Sequence, residues 1–343
     1  MRLTRQSSSR SRPVIDKNLR MLLDTTKRET RLLGDIQRLL LQPGEQNGLR
    51  TDALHPSEIS HSDWCPRASY YRLAGVTPRT DPLSLHWRMQ MIFDEGKEIH
   101  HKWQKRIWDL GRLWGTFYCE RCHYAWAATA PQECESCHQP RQFLRYMEIP
   151  LWNQSLHMAG HADGGVENSL VEIKSIGLGT LRFEAPNLIK EHTYKLNING
   201  KNREFIDYDG LWDSIRRPFP SHIRQGDFYC YMSRKYLEVI FLYECKWNQK
   251  VKEMIIRYRV ERIQDRLDQC SRVVMALQGG TIPKCPFGGC ADCRQYEEKH
   301  VSNGRVLVRR TAHNPQAASG PPRSGEGDGQ RPAPRRLSRS GDR

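Results

Sequence analysis

Hydrophobic positions along this chain recur in two rhythms, one near 3.6 residues and one of two, and together they place most elements. Between residues 18 and 41, Leu19, Leu22, Leu23, Leu32, Leu33, Ile36, Leu39 and Leu40 fall at helical intervals and predict an amphipathic helix. Pro43-Gly44 ends it. His55-Pro56-Ser57 opens a short helix reaching Tyr70 and Tyr71. A longer helix is expected over residues 85–113, with Ile92, Ile99, Trp103, Ile107 and Leu110 on one face. Strand-like segments follow at residues 146–152, 157–166 and 170–176. Asn199-Gly200, between apolar runs, is a hairpin turn signal inside what reads as an insertion over residues 178–220. A helix is expected over residues 221–233, strands over 237–244 and 253–260, and a last amphipathic helix over 261–277.

The ends are different. Residues 1–16 and those beyond Asn303 are too rich in Arg, Ser, Pro and Gly to build a core, and are expected to be disordered. The net charge of +15 is concentrated there. Residues 1–50 carry 11 basic and 5 acidic groups, and residues 301–343 carry 9 and 3. Such ends can serve as electrostatic arms for a polyanion, or simply keep the chain in solution. The longest apolar runs, such as Val239-Ile240-Phe241-Leu242, are far too short to cross a bilayer, so no membrane partner is expected. No secretory apolar segment follows the N-terminal arginines, and a cytoplasmic location is expected.

The candidate chemistry sits on two consecutive strands. Gly160-His161-Ala162-Asp163 is followed, after eight residues, by Glu172-Ile173-Lys174. Positions two apart in a strand face the same way, so Glu172 and Lys174 point together while Ile173 points into the core. A hairpin can bring Asp163 alongside them. Two convergent carboxylates make a hard oxygen site suited to Mg²⁺ or Mn²⁺, and a lysine beside them can orient water or neutralise phosphate charge. An ordinary amphipathic hairpin with exposed charges would look similar. Glu148, on the strand before the site, reads as a solvated carboxylate that could assist the metal.

Three motifs, in order, resemble those of the PD-(D/E)XK nuclease superfamily, RecB-like branch. Gly96-Lys97-Glu98-Ile99-His100 is similar to the helical histidine motif. Gly160–Asp163 with Glu172-Ile173-Lys174 look like the second and third motifs, and Gln225-Gly226-Asp227-Phe228-Tyr229 matches Gln-x-x-x-Tyr. The resemblance implies an α/β (α+β) restriction-endonuclease-like core, a mixed central sheet flanked by helices, over residues 51–300. It implies that His100, Asp163, Glu172 and the Ile173 carbonyl bind metal and that Lys174 activates water. Gln225 and Tyr229, at i and i+4 on one helix face, would act near the DNA and the lysine.

The chain has 11 cysteines, most of them clustered. Cys119-x2-Cys122 and Cys134-x2-Cys137 form two knuckles, the spacing of a four-thiolate structural Zn²⁺ site, and residues 117–140 read as an inserted zinc ribbon. Cys285-x4-Cys290-x2-Cys293 supplies three more ligands, with Cys65 the candidate fourth. One distant N-terminal cysteine with three C-terminal ones is similar to the AddB-type and CRISPR-associated iron–sulfur exonucleases. There the resemblance implies a [4Fe–4S] cluster, although the Cys spacing departs from that pattern and four thiolates also suit zinc. Cys230, Cys245 and Cys270 stand alone and read as buried apolar residues.

The function these features imply is a DNA exonuclease or end-processing nuclease of recombination, repair or phage metabolism, acting on DNA with a free end. A helicase or recombination partner cannot be named from the residues. A non-catalytic nucleic-acid-binding protein on a nuclease scaffold, or a sequence-specific endonuclease, would share many of them.

Overall fold

Both rhythms close into one mixed sheet with helices on its two faces. The computed structural model describes residues 32–41, 52–76 and 87–297. In chain order its helices are α1 (Leu33–Leu41), α2 (Pro56–Ile59), α3 (Pro66–Leu73), α4 (Trp87–Asp109), α5 (Leu178–Glu184), α6 (Pro186–Glu191), α7 (Tyr208–Ser214), α8 (Pro220–Ser233), α9 (Gln264–Leu277) and α10 (Ala291–Glu297). The strands are β1 (Trp114–Cys119), β2 (Ala125–Thr129), β3 (Leu144–Tyr146), β4 (Ile149–Asn153), β5 (Met158–Ala162), β6 (Gly164–Val166), β7 (Ser169–Ile176), β8 (Thr193–Ile198), β9 (Lys201–Ile206), β10 (Glu238–Cys245) and β11 (Val251–Arg257).

The central sheet runs β11-β10-β7-β6-β1-β2, with β3 also on β1. β7 and β10 pair in parallel, Glu172 opposite Phe241 and Lys174 opposite Tyr243. A parallel pair needs a long crossover, and α5 to α8 with the β8–β9 hairpin fill it. Alternation along β7 divides the core. Leu170 and Ile176 pack with Phe228, Tyr229, Phe241 and Tyr243 on the α8 side. Val171 and Ile173 pack with Ile99, Ile107, Trp108 and Phe117 on the α4 side. On α8, Gly226 lies so close to the sheet that an added Cβ would stand 2.9 Å from Phe241 Cζ. The missing side chain lets this helix approach β10.

Several expectations are sharpened. The strand expected over residues 157–166 is two strands: β5 pairs with β4 in a separate ribbon, and β6 joins the central sheet. The segment 146–152 likewise breaks between β3 and β4, where Glu148 takes a left-handed backbone (φ 62°). The cysteine-rich stretch, read as an insert, is joined to the main sheet through β1, which pairs with β2, β3 and β6. On the long helix, Ile99 and Ile107 are buried, but Ile92 and Leu110 are exposed, since the sheet supports only the middle turns. The Asn199-Gly200 turn is as expected, both residues at positive φ. The lone Cys230, Cys245 and Cys270 are buried. Expectations for residues 1–31, for the helix end at Pro43-Gly44, for the helix start at residues 85–86 and for residues 298–343 lie outside the described residues.

Candidate active site and cysteine centres

Asp163 stands at the gap between β5 and β6, where the chain passes from one sheet to the other. Because β6 ends its pairing with β7 at Val171, the next stretch of β7 turns an open edge toward Asp163. The Ile173 N–H donates to Asp163 Oδ2 at 2.6 Å. In a strand the N–H and C=O of one residue point to the same edge, so the Ile173 carbonyl faces this gap as well. From α4, His100 Nδ1 meets Asp163 Oδ1 at 3.1 Å. Four residues on, Gln104 Nε2 donates to the Asp163 carbonyl at 3.1 Å and to Glu148 Oε1 at 3.3 Å.

On the α8 face, Glu172 and Lys174 point together as alternation requires. Lys174 Nζ lies 2.7 Å from Glu172 Oε1 and donates to Gln225 Oε1 at 3.0 Å. Gln225 Nε2 donates to Glu172 Oε1 and to Tyr229 Oη, each at 2.9 Å. One amide thus spans both members of the strand pair, with its oxygen on the lysine and its nitrogen on the carboxylate. Gly160 on β5 brings Tyr229 in, an added Cβ there standing 3.0 Å from Tyr229 Cε1. Glu172 Oε2 is buried and has no hydrogen-bond partner among the described residues.

Burial pushes Glu172 up to about 7, Lys174 opposing the rise and Asp163 adding to it. Glu148 also rises to about 7, from burial first and then the Asp163 charge. For Asp163 burial works the same way, but His100, Lys174 and the Ile173 N–H outweigh it and hold the carboxyl below its usual range. Burial disfavours the charged forms of His100 and Lys174, yet the carboxylates prevail and both are raised. The cluster therefore carries divided charge, with cationic side chains balancing ionised Asp163.

The structure brings together His100, Asp163, Glu172, Lys174, Gln225 and Tyr229, and turns the Ile173 backbone toward them. His101 points away, exposed. Glu148, read from sequence as a solvated carboxylate, is instead half-buried, and one of its oxygens lies within 4.8 Å of ligand atoms of His100 and Asp163. The broken strand, with its positive φ, is what turns it inward. Gln104 was missed altogether. Its signal was the i, i+4 spacing from His100, which sets both on one face of α4.

Two cysteine tetrads lie apart from this cluster. In the first, Cys119, Cys122, Cys134 and Cys137 offer sulfurs that all lie within 4.8 Å of one another, with Cys119–Cys137 and Cys122–Cys134 at 3.6 Å. A tetrahedral ion with Zn–S bonds of about 2.3 Å places its sulfurs about 3.8 Å apart. In the second, Cys65, Cys285, Cys290 and Cys293 meet within the same limit. Cys65 immediately precedes α3, and the Gly289 N–H donates to Cys285 Sγ at 3.3 Å. Burial opposes a thiolate at Cys285, but the N–H groups of Phe287, Cys290 and Gly289 prevail and lower it to about 6. Both tetrads can bind metal.

No helix of the described residues is long and apolar enough to cross a membrane. No family model matches this chain. No curated protein matches it either. Among solved structures, the chain is similar to an alkaline exonuclease from Laribacter hongkongensis, at 10% identity and a TM-score of 0.35, covering 72% of this chain and 93% of that one. It is similar as well to that exonuclease in complex with dAMP, at 12% identity and a TM-score of 0.34, over 72% of this chain and 93% of the other.

Proposed function

We propose that this chain is a metal-dependent DNA nuclease of the PD-(D/E)XK type, RecB-like branch, which acts on DNA with a free end in recombination, repair or phage DNA metabolism. The observation that carries the reading is that His100, Asp163 and Glu148 offer ligand atoms within 4.8 Å of one another, while on the adjoining strand Lys174 pairs with Glu172, whose Oε2 is buried and accepts no hydrogen bond among the described residues. An unsatisfied buried polar atom costs roughly 1–3 kcal/mol, more when charged, and a cation removes that cost. The donors fit Mg²⁺ or Mn²⁺: carboxylate oxygens of Asp163 and Glu148 and the His100 imidazole meet within 4.8 Å, and the family resemblance adds Glu172 and the Ile173 carbonyl to the set. A divalent ion held there supplies Lewis acidity toward a phosphodiester oxygen.

The chain's own groups do the rest. Glu172 keeps the Lys174 ammonium charged, and Gln225 fixes its direction. Lys174 can then orient the attacking water and balance charge gathering on the phosphate. Tyr229 steadies Gln225 from behind. His100 and the Ile173 N–H hold the two Asp163 oxygens in place.

The first tetrad is assigned Zn²⁺, on the knuckle spacing and its sulfur separation. The second is a metal staple between the start of α3 and the chain that enters α10, with Cys293 in the first turn of α10. A [4Fe–4S] cluster there, as the resemblance implies, requires the sulfurs to spread around four irons, whereas zinc takes them as they stand.

The test is cleavage of end-labelled linear and closed circular DNA by the full chain with Mg²⁺ or Mn²⁺. Asp163→Asn and Lys174→Ala are expected to lower the rate on the order of a thousandfold. Retention of full activity by either sinks the mechanism, and discrete fragments from circular DNA would replace the exonuclease with an endonuclease.

A further inference from the structure

The β8–β9 hairpin takes no part in the chemistry above, yet its two faces are built unlike each other. Directly opposed residues of an antiparallel pair share a face. One face carries Lys195 opposite Glu204, 3.5 Å apart, and Asn197 opposite Asn202. The other carries Tyr194 opposite Phe205, Leu196 opposite Arg203, and Ile198 opposite Lys201. Tyr194, Leu196 and Ile198 are 47%, 46% and 38% exposed. The Tyr194 and Phe205 rings stack at 6.0 Å and 24°. Arg203 and Lys201 are exposed and form no ion pair with a described residue, whereas the cation of the opposite face is paired.

Water gains nothing from such a face. Three exposed apolar side chains on a two-stranded ribbon neither build a core nor keep the chain soluble. Flat apolar surface interleaved with uncompensated cations complements a strand of unpaired nucleotides, whose bases stack and whose phosphates seek positive charge. Along the chain the hairpin lies between two elements of the proposed site. It belongs to the crossover that leaves the end of β7 just past Lys174 and returns as α8, which carries Gln225. The root of that crossover is tied to the site's helix by the Ser221 hydroxyl, which donates to Glu184 at 2.7 Å.

We propose that the Tyr194–Phe205–Leu196–Arg203 face binds single-stranded DNA, the aromatic pair and aliphatic side chains taking bases, and Lys201 and Arg203 taking phosphates. The proposal deepens the nuclease reading and rests on it for the identity of the polymer.

The test is fluorescence anisotropy with a labelled single-stranded 20-mer and a blunt duplex, on the full chain carrying Asp163→Asn so that the probes survive. Tyr194→Ala is expected to weaken binding of the single strand roughly tenfold and the duplex little. Lys201→Ser with Arg203→Ser should reduce the slope of log K against log salt by about 1.4 on the single strand, the value for two lost phosphate contacts. With Asp163 restored, the hairpin variants should cleave a small chromogenic phosphodiester at the parental rate, which shows that the fold and site are intact. Unchanged single-strand affinity in both variants overturns the proposal. So does equal loss on both probes from Tyr194→Ala, which would reduce the face to a patch without stacking. A dimer in sedimentation that the variants abolish, at constant DNA affinity, would assign the face to a second copy of the chain and overturn it as well. If the parental chain cleaves nothing but the variants still lose single-strand affinity, the nuclease reading fails and the binding face stands.

Discussion

Glu148 shows how one residue can serve a site at a cost to the fold. Its backbone sits at φ 62°, a conformation that L-residues other than Gly, Asn and Asp rarely adopt, and its carboxylate is half-buried beside Asp163. Burial, and then the Asp163 charge, push it up to about 7. A carboxyl raised above its unfolded value of 4.5 stabilises the fold below that value, and the contribution is lost as pH climbs to about 7. Above pH 7 the ionised group is therefore a burden unless a cation sits beside it. Glu148→Gln is expected to melt higher than the parent at pH 8 in metal-free buffer, and to show no such gain at pH 4. It should also bind Mn²⁺ on the order of tenfold more weakly, read by titration calorimetry. Glu172 adds a second signature. Its own rise to about 7 means that cation binding must displace a proton, so affinity should climb with pH up to about 7 and then level. A flat profile from pH 5.5 to 8 would remove Glu172 from the donor set.

At the scale of elements, sequence and structure part company in an instructive way. Period-two alternation located β7, β10 and the β8–β9 hairpin, because each has a clear pair of faces or a turn that demands positive φ. It could not see that the segment 157–166 changes partners at Asp163. Local alternation is the same whether a strand continues in one sheet or crosses to another; only long-range pairing decides. The same blindness hid Glu148, whose inward turn depends on a break between β3 and β4. Gln225 was legible as the first half of an i, i+4 pair, but the reason it reaches Lys174 was not. That reason is Gly226, which lets α8 settle on the sheet so closely that an added Cβ would stand 2.9 Å from Phe241 Cζ and 3.1 Å from Val239 Cγ2. Gly226→Ala is expected to cost about 1–3 kcal/mol through overpacking, roughly 2–12 °C in Tm for a domain of this size. It should also move Gln225 off the lysine, so that activity falls further than stability explains. A variant that melts lower yet cleaves at the parental rate would show that α8 can shift without disturbing Gln225.

The whole molecule is held by contacts that no local pattern announces. Cys65 lies 220 positions before Cys285, and its place in the second tetrad came from resemblance and not from spacing. What the tetrad ties is visible in three dimensions. The segment 52–76 carries α2 and α3, and its other anchors reach toward the active site. Arg224 of α8 donates to the Ser60 carbonyl at 2.7 Å, and Arg266 of α9 to the His61 carbonyl at 2.9 Å. Leu54 bonds in both directions to the backbone at the start of β5, donating to the His157 carbonyl just before it at 2.7 Å and accepting from Ala159 within it at 2.9 Å. β5 ends at the residue before Asp163. Loosening the staple should therefore lower stability and reach Asp163 as well. Closing so long a loop is worth about 5 kcal/mol in chain entropy for a single cross-link, and loss of that much lowers Tm by roughly 10–20 °C in a domain of this size. Cys290→Ser is expected to produce a fall of that order, loss of the metal from one tetrad only, and slower cleavage. Elemental analysis of anaerobically purified parent and variant identifies the ion: iron with sulfide that disappears in Cys290→Ser makes the staple an iron–sulfur cluster, and zinc falling from two equivalents to one makes it a second zinc site. An unchanged Tm and metal content in Cys290→Ser would mean that the four thiols meet without a metal, and the 52–76 segment would then owe its place to the arginine contacts, the Leu54 backbone bonds and its apolar packing.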